Sequence, residues 1–292
     1  MQQQAYYDLH AHTTASDGTL SPTELVRLAK DHELRALAVT DHDTVDGIAE
    51  ARAEAEALGV ELVPGVEISA TFGSVAVHVL GLFIEYREPW LVEFFAEAAE
   101  RRIDRVHEMV AKLGKLGIEI DAREVFARSS HGTVGRPHVA EVLLERGVAS
   151  SLADVFARFL GDGCPAYVGY EKVSLEQALA LIDRAGGIAS LAHPYVFDND
   201  GLIPEMVSRG LPGLEVYHRD HSLEQIAAYE SIANEHSLLA TGGSDFHRPY
   251  GPDGALESVE PLEPLEPLEP VRQLGCAYLT EDAFEQLRAA AR

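Results

Sequence analysis

The stretch Ala36-Leu37-Ala38-Val39-Thr40-Asp41-His42-Asp43 decides the fold. A short apolar strand runs straight into three side chains able to hold a proton or a cation. A helix precedes it. Ser21 suits the N-cap, Pro22 the first helical position, and Glu24 completes a capping box. Leu25, Leu28 and Ala29 follow at helical spacing. A second helix comes after it, Ala/Glu-rich from about Val45 to Leu58 and stopped by Gly59. This unit recurs along the chain. Residues 5–9, rich in aromatics, lead to His10-Ala11-His12, and residues 61–68 and 75–80 read as strands. Ser174 and Gln177 cap a helix that ends at Gly186-Gly187, and residues 188–192 lead to His193-Pro194. Residues 214–217 lead to His218, Ser222 and Gln225 cap one more helix, and residues 238–241 lead to Gly242-Gly243-Ser244-Asp245-Phe246-His247. Strands alternating with amphipathic helices predict an α/β protein with a mostly parallel sheet. Seven strand candidates suit a barrel better than an open sheet, and spacing leaves closure open.

The middle differs. From about Trp90 to Leu160 helix follows helix, with Phe94, Phe95, Ala98, Ile103, Val106, Met109, Val110 and Leu113 in one amphipathic series. The expected organisation is a barrel from residues 1–89 and 165–292, interrupted by a helical insertion over 90–164. Residues 90–150 carry 9 Lys/Arg against 10 Asp/Glu, nearly neutral in a chain of 48 acidic and 23 basic side chains. The net charge of −25 favours solubility and argues against binding duplex or long nucleic acids, which rests on neutralising many phosphates. A small anionic substrate is still compatible, because bound cations reverse the local field. Hydrophobic residues at 46% and charged residues at 24% place the chain among soluble globular proteins. It shows no apolar run long enough for a membrane span. Residues 1–8 lack the basic start and apolar core of a signal peptide. Cys164 and Cys276 stand in no metal or redox spacing, so a reducing cytoplasm is expected. The run Pro261 to Pro270, a proline every third residue, predicts an extended connection to a last helix over 282–291.

The chemistry lies in where the ionisable residues fall. His10 and His12 follow the first strand, Asp17 the loop beyond, and His42 the second strand. Glu67 ends the third, His78 lies on the fourth, His193 follows a later one, and Asp245 and His247 follow the last. The C-terminal strand ends of a parallel barrel meet at one face, so these nine residues should converge there. Imidazole plus carboxylate without thiolate suits Mn, Fe, Zn or Co rather than a closed structural zinc site. Such clusters activate water and brace phosphate oxygens.

His10-Ala11-His12 with Asp17-Gly18, Thr40-Asp41-His42, Pro64-Gly65-Val66-Glu67, His78, Ala192-His193-Pro194 and Gly243-Ser244-Asp245-Phe246-His247, taken in order, resemble the motifs of the polymerase and histidinol phosphatase (PHP) family of the amidohydrolase-like group. The resemblance covers residues 5–85 and 170–250. It implies a distorted (βα)7 TIM-like barrel and two to three divalent ions, Mn first. By position it implies His10, His12, Glu67 and Asp245 on one ion, Glu67, His78 and His193 on a second with Glu67 bridging, and Asp17, His42 and His247 on the third. The insertion with Gly135-Arg136-Pro137-His138 is similar to members that remove the 3′-phosphate of nucleoside 3′,5′-bisphosphates, leaving an AMP-like product, or trim short RNA from its 5′ end.

The implied activity is phosphomonoester hydrolysis, with Glu67, Asp245 and His218 as catalytic candidates and the leaving-group proton coming from His218 or from water. Arg136, His131, His138, Arg219 and His221 are the candidate substrate contacts, Arg136 for the second phosphate. The alternatives are histidinol phosphate or another small phosphomonoester as substrate, and a non-catalytic metal-binding module. Asp41 and Asp43 beside His42 read either as partners orienting an imidazole or as turn residues. His32, His107 and His236, in helical stretches, read as structural.

Overall fold

The computed structural model describes residues 6–128, 134–169, 173–197, 199–249, 274–275 and 279–291. His131, Cys276 and the Pro261–Pro270 run lie outside the described residues. The elements in order are β1 (Tyr6–Asp8), α1 (Pro22–Asp31), β2 (Leu34–Val39), α2 (Ile48–Leu58), β3 (Glu61–Phe72) and β4 (Val75–Leu82). The helical stretch holds α3 (Pro89–Lys115), α4 (Ala122–Phe126), α5 (Arg136–Glu145) and α6 (Leu152–Val155). Then come β5 (Val173–Ser174), α7 (Leu175–Arg184), β6 (Ile188–Leu191), α8 (Ile203–Ser208), β7 (Gly213–His218), α9 (Leu223–His236), β8 (Leu239–Gly243) and α10 (Glu281–Ala290). The capping boxes expected at Ser21, Ser174 and Ser222 all form, and Gly59, having no Cβ, closes α2 in the left-handed conformation.

One sheet runs β1-β2-β3-β4-β6-β7-β8, with β5 beside β3. Closure, which spacing left open, is made by the Leu9 N–H donating to Gly242 O at 3.1 Å and by a parallel bridge between Ala11 and Phe246. The chain is thus a distorted α/β barrel. The sheet is mostly parallel, but β4 runs antiparallel to both β3 and β6. The reading of Glu67 as the end of its strand is corrected. β3 continues to Phe72, because pairing with β4 holds it extended from Gly65–Leu82 to Phe72–Val75. The reversed β4 therefore starts at the rim where β3 ends, which brings His78 to the mouth.

Two apolar layers hold the barrel. Its strands and α1, α2, α7, α8 and α9 share the larger core, where Leu37, Val39, Ile68 and Val79 meet Leu25, Ile48 and Ile182. Inside the barrel Leu9, Ala38, Val63, Leu80 and Leu82 pack on Phe284 and Leu287 of α10, which plugs the end away from the mouth. Tyr7 and Phe284 stack with ring centroids 4.4 Å apart. The long helix α3 serves two cores. Leu91 and Phe95 pack on the barrel, whereas Val106, Met109 and Leu113 join Val125, Val139 and Leu143 in a separate cluster of α3, α4 and α5. Ile103, counted in the apolar series, is 42% exposed, because it falls between these two contacts.

Candidate metal centre

Glu67 is the middle of the site. It is fully buried in β3, and each of its oxygens faces imidazoles from other elements. Oε1 lies 2.8 Å from His78 Nδ1 and 2.9 Å from His193 Nε2. Oε2 lies 3.2 Å from both His10 Nε2 and His12 Nε2, and 3.1 Å from His42 Nδ1. Asp245 Oδ1 closes one side, 3.1 Å from His12 Nε2 and 3.4 Å from His10 Nε2. Asp17 closes another, 3.3 Å from His247 Nε2 and 3.7 Å from His42 Nε2. The nine expected residues therefore converge. Gly243 permits this, since a Cβ there would sit 2.4 Å from His10 N.

Ligand atoms of His10, His12, Glu67 and Asp245 all lie within 4.8 Å of one another, as do those of His12, Asp17, His42 and His247, and those of His42, Glu67 and His78. His12 and His42 thus each belong to two groups, where the resemblance gave them one apiece. This donor set fits divalent cations. Both ring nitrogens of His12 and Nδ1 of His42 are buried without a well-directed hydrogen bond among the described residues, so a nitrogen of each ring, once deprotonated, is available to an ion.

Electrostatics agree. Burial alone would raise the Glu67 carboxyl, but the His42, His10 and His78 imidazoles hold it well below the carboxylate range. Asp245 is held low in the same way, chiefly by His10 against burial. Burial brings His42 down to about 4, so it stays neutral. His12 is also disfavoured by burial, yet Asp245 and Glu67 push it up to about 10.

Other expected residues divide. His218, at the end of β7, is buried, and its Nδ1 accepts the Asp220 N–H at 3.1 Å. Its Nε2 therefore carries the proton and points at Asp245 Oδ2, 3.6 Å away. His221 donates from Nδ1 to Val216 O at 2.8 Å, and its ring packs on Tyr195 and Tyr229. Arg219 Nε lies 3.3 Å from Asp220. The expected contacts in the helical stretch are engaged elsewhere. Arg136 pairs with Asp162 at 3.0 Å and lies over the Phe156 and Tyr167 rings, and His138 Nδ1 accepts the Gly135 N–H at the start of α5. Neither contact reaches the cluster.

Four buried acids around the site were missed or left open. Asp41 accepts from Thr13 N, Thr13 Oγ1 and Ser16 Oγ at 2.6–2.8 Å, so it shapes the loop between His12 and Asp17 rather than turning His42. Asp8 accepts the N–H groups of His10, Ser244 and Gly275. Glu215 accepts from His10 and His193. The available signal was a single acid inside an otherwise apolar strand, as in Leu214-Glu215-Val216. Asp43 accepts the Ser69 N–H at 2.8 Å and pairs with Arg102 of α3. Beside it a cleft of about 540 Å³ opens from His42, walled by Val92, Phe95 and Ala99.

A barrel whose mouth gathers six imidazoles and two aspartates around one buried glutamate defines a metal-dependent hydrolase. The PHP domain family matches residues 8–124. A 5′-3′ exoribonuclease, Rnm, of Escherichia coli is 38% identical over 250 residues, 83% of this chain and 85% of its own. A 3′,5′-nucleoside bisphosphate phosphatase of Chromobacterium violaceum is 36% identical over 252 residues, 84% of this chain and 88% of its own. The solved structure of an amidohydrolase from the same organism, with bound sulfate, superposes with a TM-score of 0.72 at 33% identity, over 98% of this chain and 97% of that one. The chain belongs to the PHP family, and it is a phosphoesterase.

Proposed function

We propose that this phosphoesterase removes the 3′-phosphate of nucleoside 3′,5′-bisphosphates in the cytoplasm, and that short 5′-phosphorylated RNA is a second substrate. The observation that carries the reading is the nine-residue cluster around Glu67 in a chain so similar to a bisphosphate phosphatase. The exoribonuclease relative and the cleft beside His42 support the RNA arm. His10, His12, Glu67 and Asp245 would hold one ion, Glu67, His78 and His193 a second, and Asp17, His42 and His247 a third, Mn first and Fe, Zn or Co after it. When bound, these ions supply Lewis acidity to the phosphate oxygens and to the attacking water.

The chain supplies the rest. Glu67 and Asp245 stay ionised and fix the charge of the pocket. His218 Nε2–H is a buried donor at the cluster's edge, placed to hold a phosphate oxygen or the leaving oxygen. The helical insertion, residues 90–164, acts as a domain of its own, which its separate core supports. A second phosphate would fall to Arg219 at the mouth, or to Arg136 if the anion replaces Asp162. His131, His138 and His221 remain candidate contacts on the same reading.

The test is a panel assayed with Mn: a nucleoside 3′,5′-bisphosphate, the 3′-monophosphate, a short 5′-phosphorylated RNA, histidinol phosphate and an aryl phosphate. The bisphosphate should be cleaved best, and Glu67→Gln should lose metal and turnover while remaining folded. Arg136→Ala should cost about 10- to 100-fold in kcat/KM on the bisphosphate alone if it anchors the second phosphate. Equal turnover of histidinol or aryl phosphate would reject the nucleotide reading.

A further inference from the structure

Glu215 is fully buried in β7, in the layer beneath the cluster, and is in none of the groups whose atoms lie close enough together to hold an ion. Its carboxylate has two partners. Oε1 and Oε2 lie 3.0 and 3.3 Å from His10 Nδ1, and Oε2 accepts the backbone N–H of His193 at 2.7 Å. An ionised carboxylate only accepts, so His10 Nδ1 must carry the proton there. The unprotonated nitrogen of a neutral His10 is then Nε2, the one facing Glu67 and Asp245. The second contact acts on backbone. His193 has φ +27°, a region that non-glycine residues rarely adopt, and this conformation carries its Nε2 to 2.9 Å from Glu67.

We infer that Glu215 is a positioning residue: one buried carboxylate sets which nitrogen of His10 faces the ions and holds the strained His193 backbone, and so sets the affinity of the Glu67 side for a divalent transition ion. This rests on the metal-site reading above. Glu215 touches neither substrate nor ion, and acts through two ligands contributed by different strands. Partners that orient a ligating imidazole typically alter metal affinity about 10- to 100-fold.

Two measurements test it without turnover. In the first, metal-stripped wild type and Glu215→Gln are titrated with Mn or Zn against a chromogenic chelator. The amide preserves shape, but its NH2 cannot accept. The variant should keep its circular dichroism and bind about 10- to 100-fold more weakly, and Glu215→Asp should recover part of the loss. Equal affinity in wild type and Glu215→Gln overturns the inference and leaves the metal reading standing. A wild type that binds no ion overturns the metal reading itself. The second needs no variant of Glu215. In Zn-loaded, ¹⁵N-histidine-labelled protein, with His10 assigned through His10→Gln, the His10 Nδ1 should be protonated and Nε2 metal-bound. The reverse pattern overturns the inference even if Glu215→Gln fails to fold.

Discussion

At the scale of single residues, the cluster stores protons where it would hold cations. In protein stripped of metal by chelation, His12 is disfavoured as a cation by burial, but Asp245 and Glu67 raise it to about 10. His42, lowered to about 4 by burial, is neutral over the same range. A cation needs the neutral imidazole, so binding must expel the His12 proton at any pH below about 10, and nothing from His42 above about 4. Affinity for Mn should therefore rise by at least about tenfold per pH unit between about 7 and 9, and the rise should fade near 10. Calorimetry at about pH 8 in two buffers of different ionisation enthalpy should show at least one proton released per ion set. An enthalpy independent of buffer would contradict this account of His12.

At the scale of elements, the contact that matters is between α3 and the loop after β2. Arg102 reaches from the middle of α3 to Asp43, the residue after His42, and the pair is largely buried, with side-chain exposures of 13% and 7%. Asp43 has φ +50° and its other oxygen takes the Ser69 N–H, so α3 is latched to the backbone that carries a candidate ligand. Removing one partner of a buried pair leaves the other charge uncompensated, at a cost of roughly 3–5 kcal/mol. Arg102→Ala should lower the denaturation midpoint accordingly and weaken metal binding through His42, with Arg102→Lys recovering part of both. A variant with unchanged stability and metal affinity would reduce the pair to a surface contact. Sequence periodicity found α3 as a helix but not this contact, because Arg102 and Asp43 are far apart in the chain and only the docking angle of α3 joins them.

Across the whole molecule, the barrel separates stability from chemistry. The mouth carries the ionisable cluster, and α10 closes the opposite end with Phe284 and Leu287 against Tyr7, Leu9 and Leu82. Truncating a fully buried phenylalanine costs about 3–5 kcal/mol. Phe284→Ala should therefore lower the free energy of unfolding by that amount, while the fraction still folded binds Mn with wild-type affinity. Loss of metal affinity in step with stability would show that the plug also sets the geometry of the mouth. Among the described residues no helix is long and apolar enough to cross a membrane.

The sequence alone determined the alternation of strand and helix, the three Ser-capped helices and the ordered series from His10 to His247, because local caps, periodicity and strand-end ligands are written in neighbouring residues. It marked Glu67 and the eight residues that now surround it. Tertiary structure decided what depends on distant pairing. Closure needed Leu9 against Gly242. The reversal of β4 needed the whole register from Gly65 to Phe72. Arg136 and His138, candidate substrate contacts in the sequence, are engaged by Asp162 and by the backbone of Gly135. Glu215 looked like one more strand residue until β7 placed it under His10 and His193, since the worth of a buried carboxylate is set by which donors surround it, and those come from other strands.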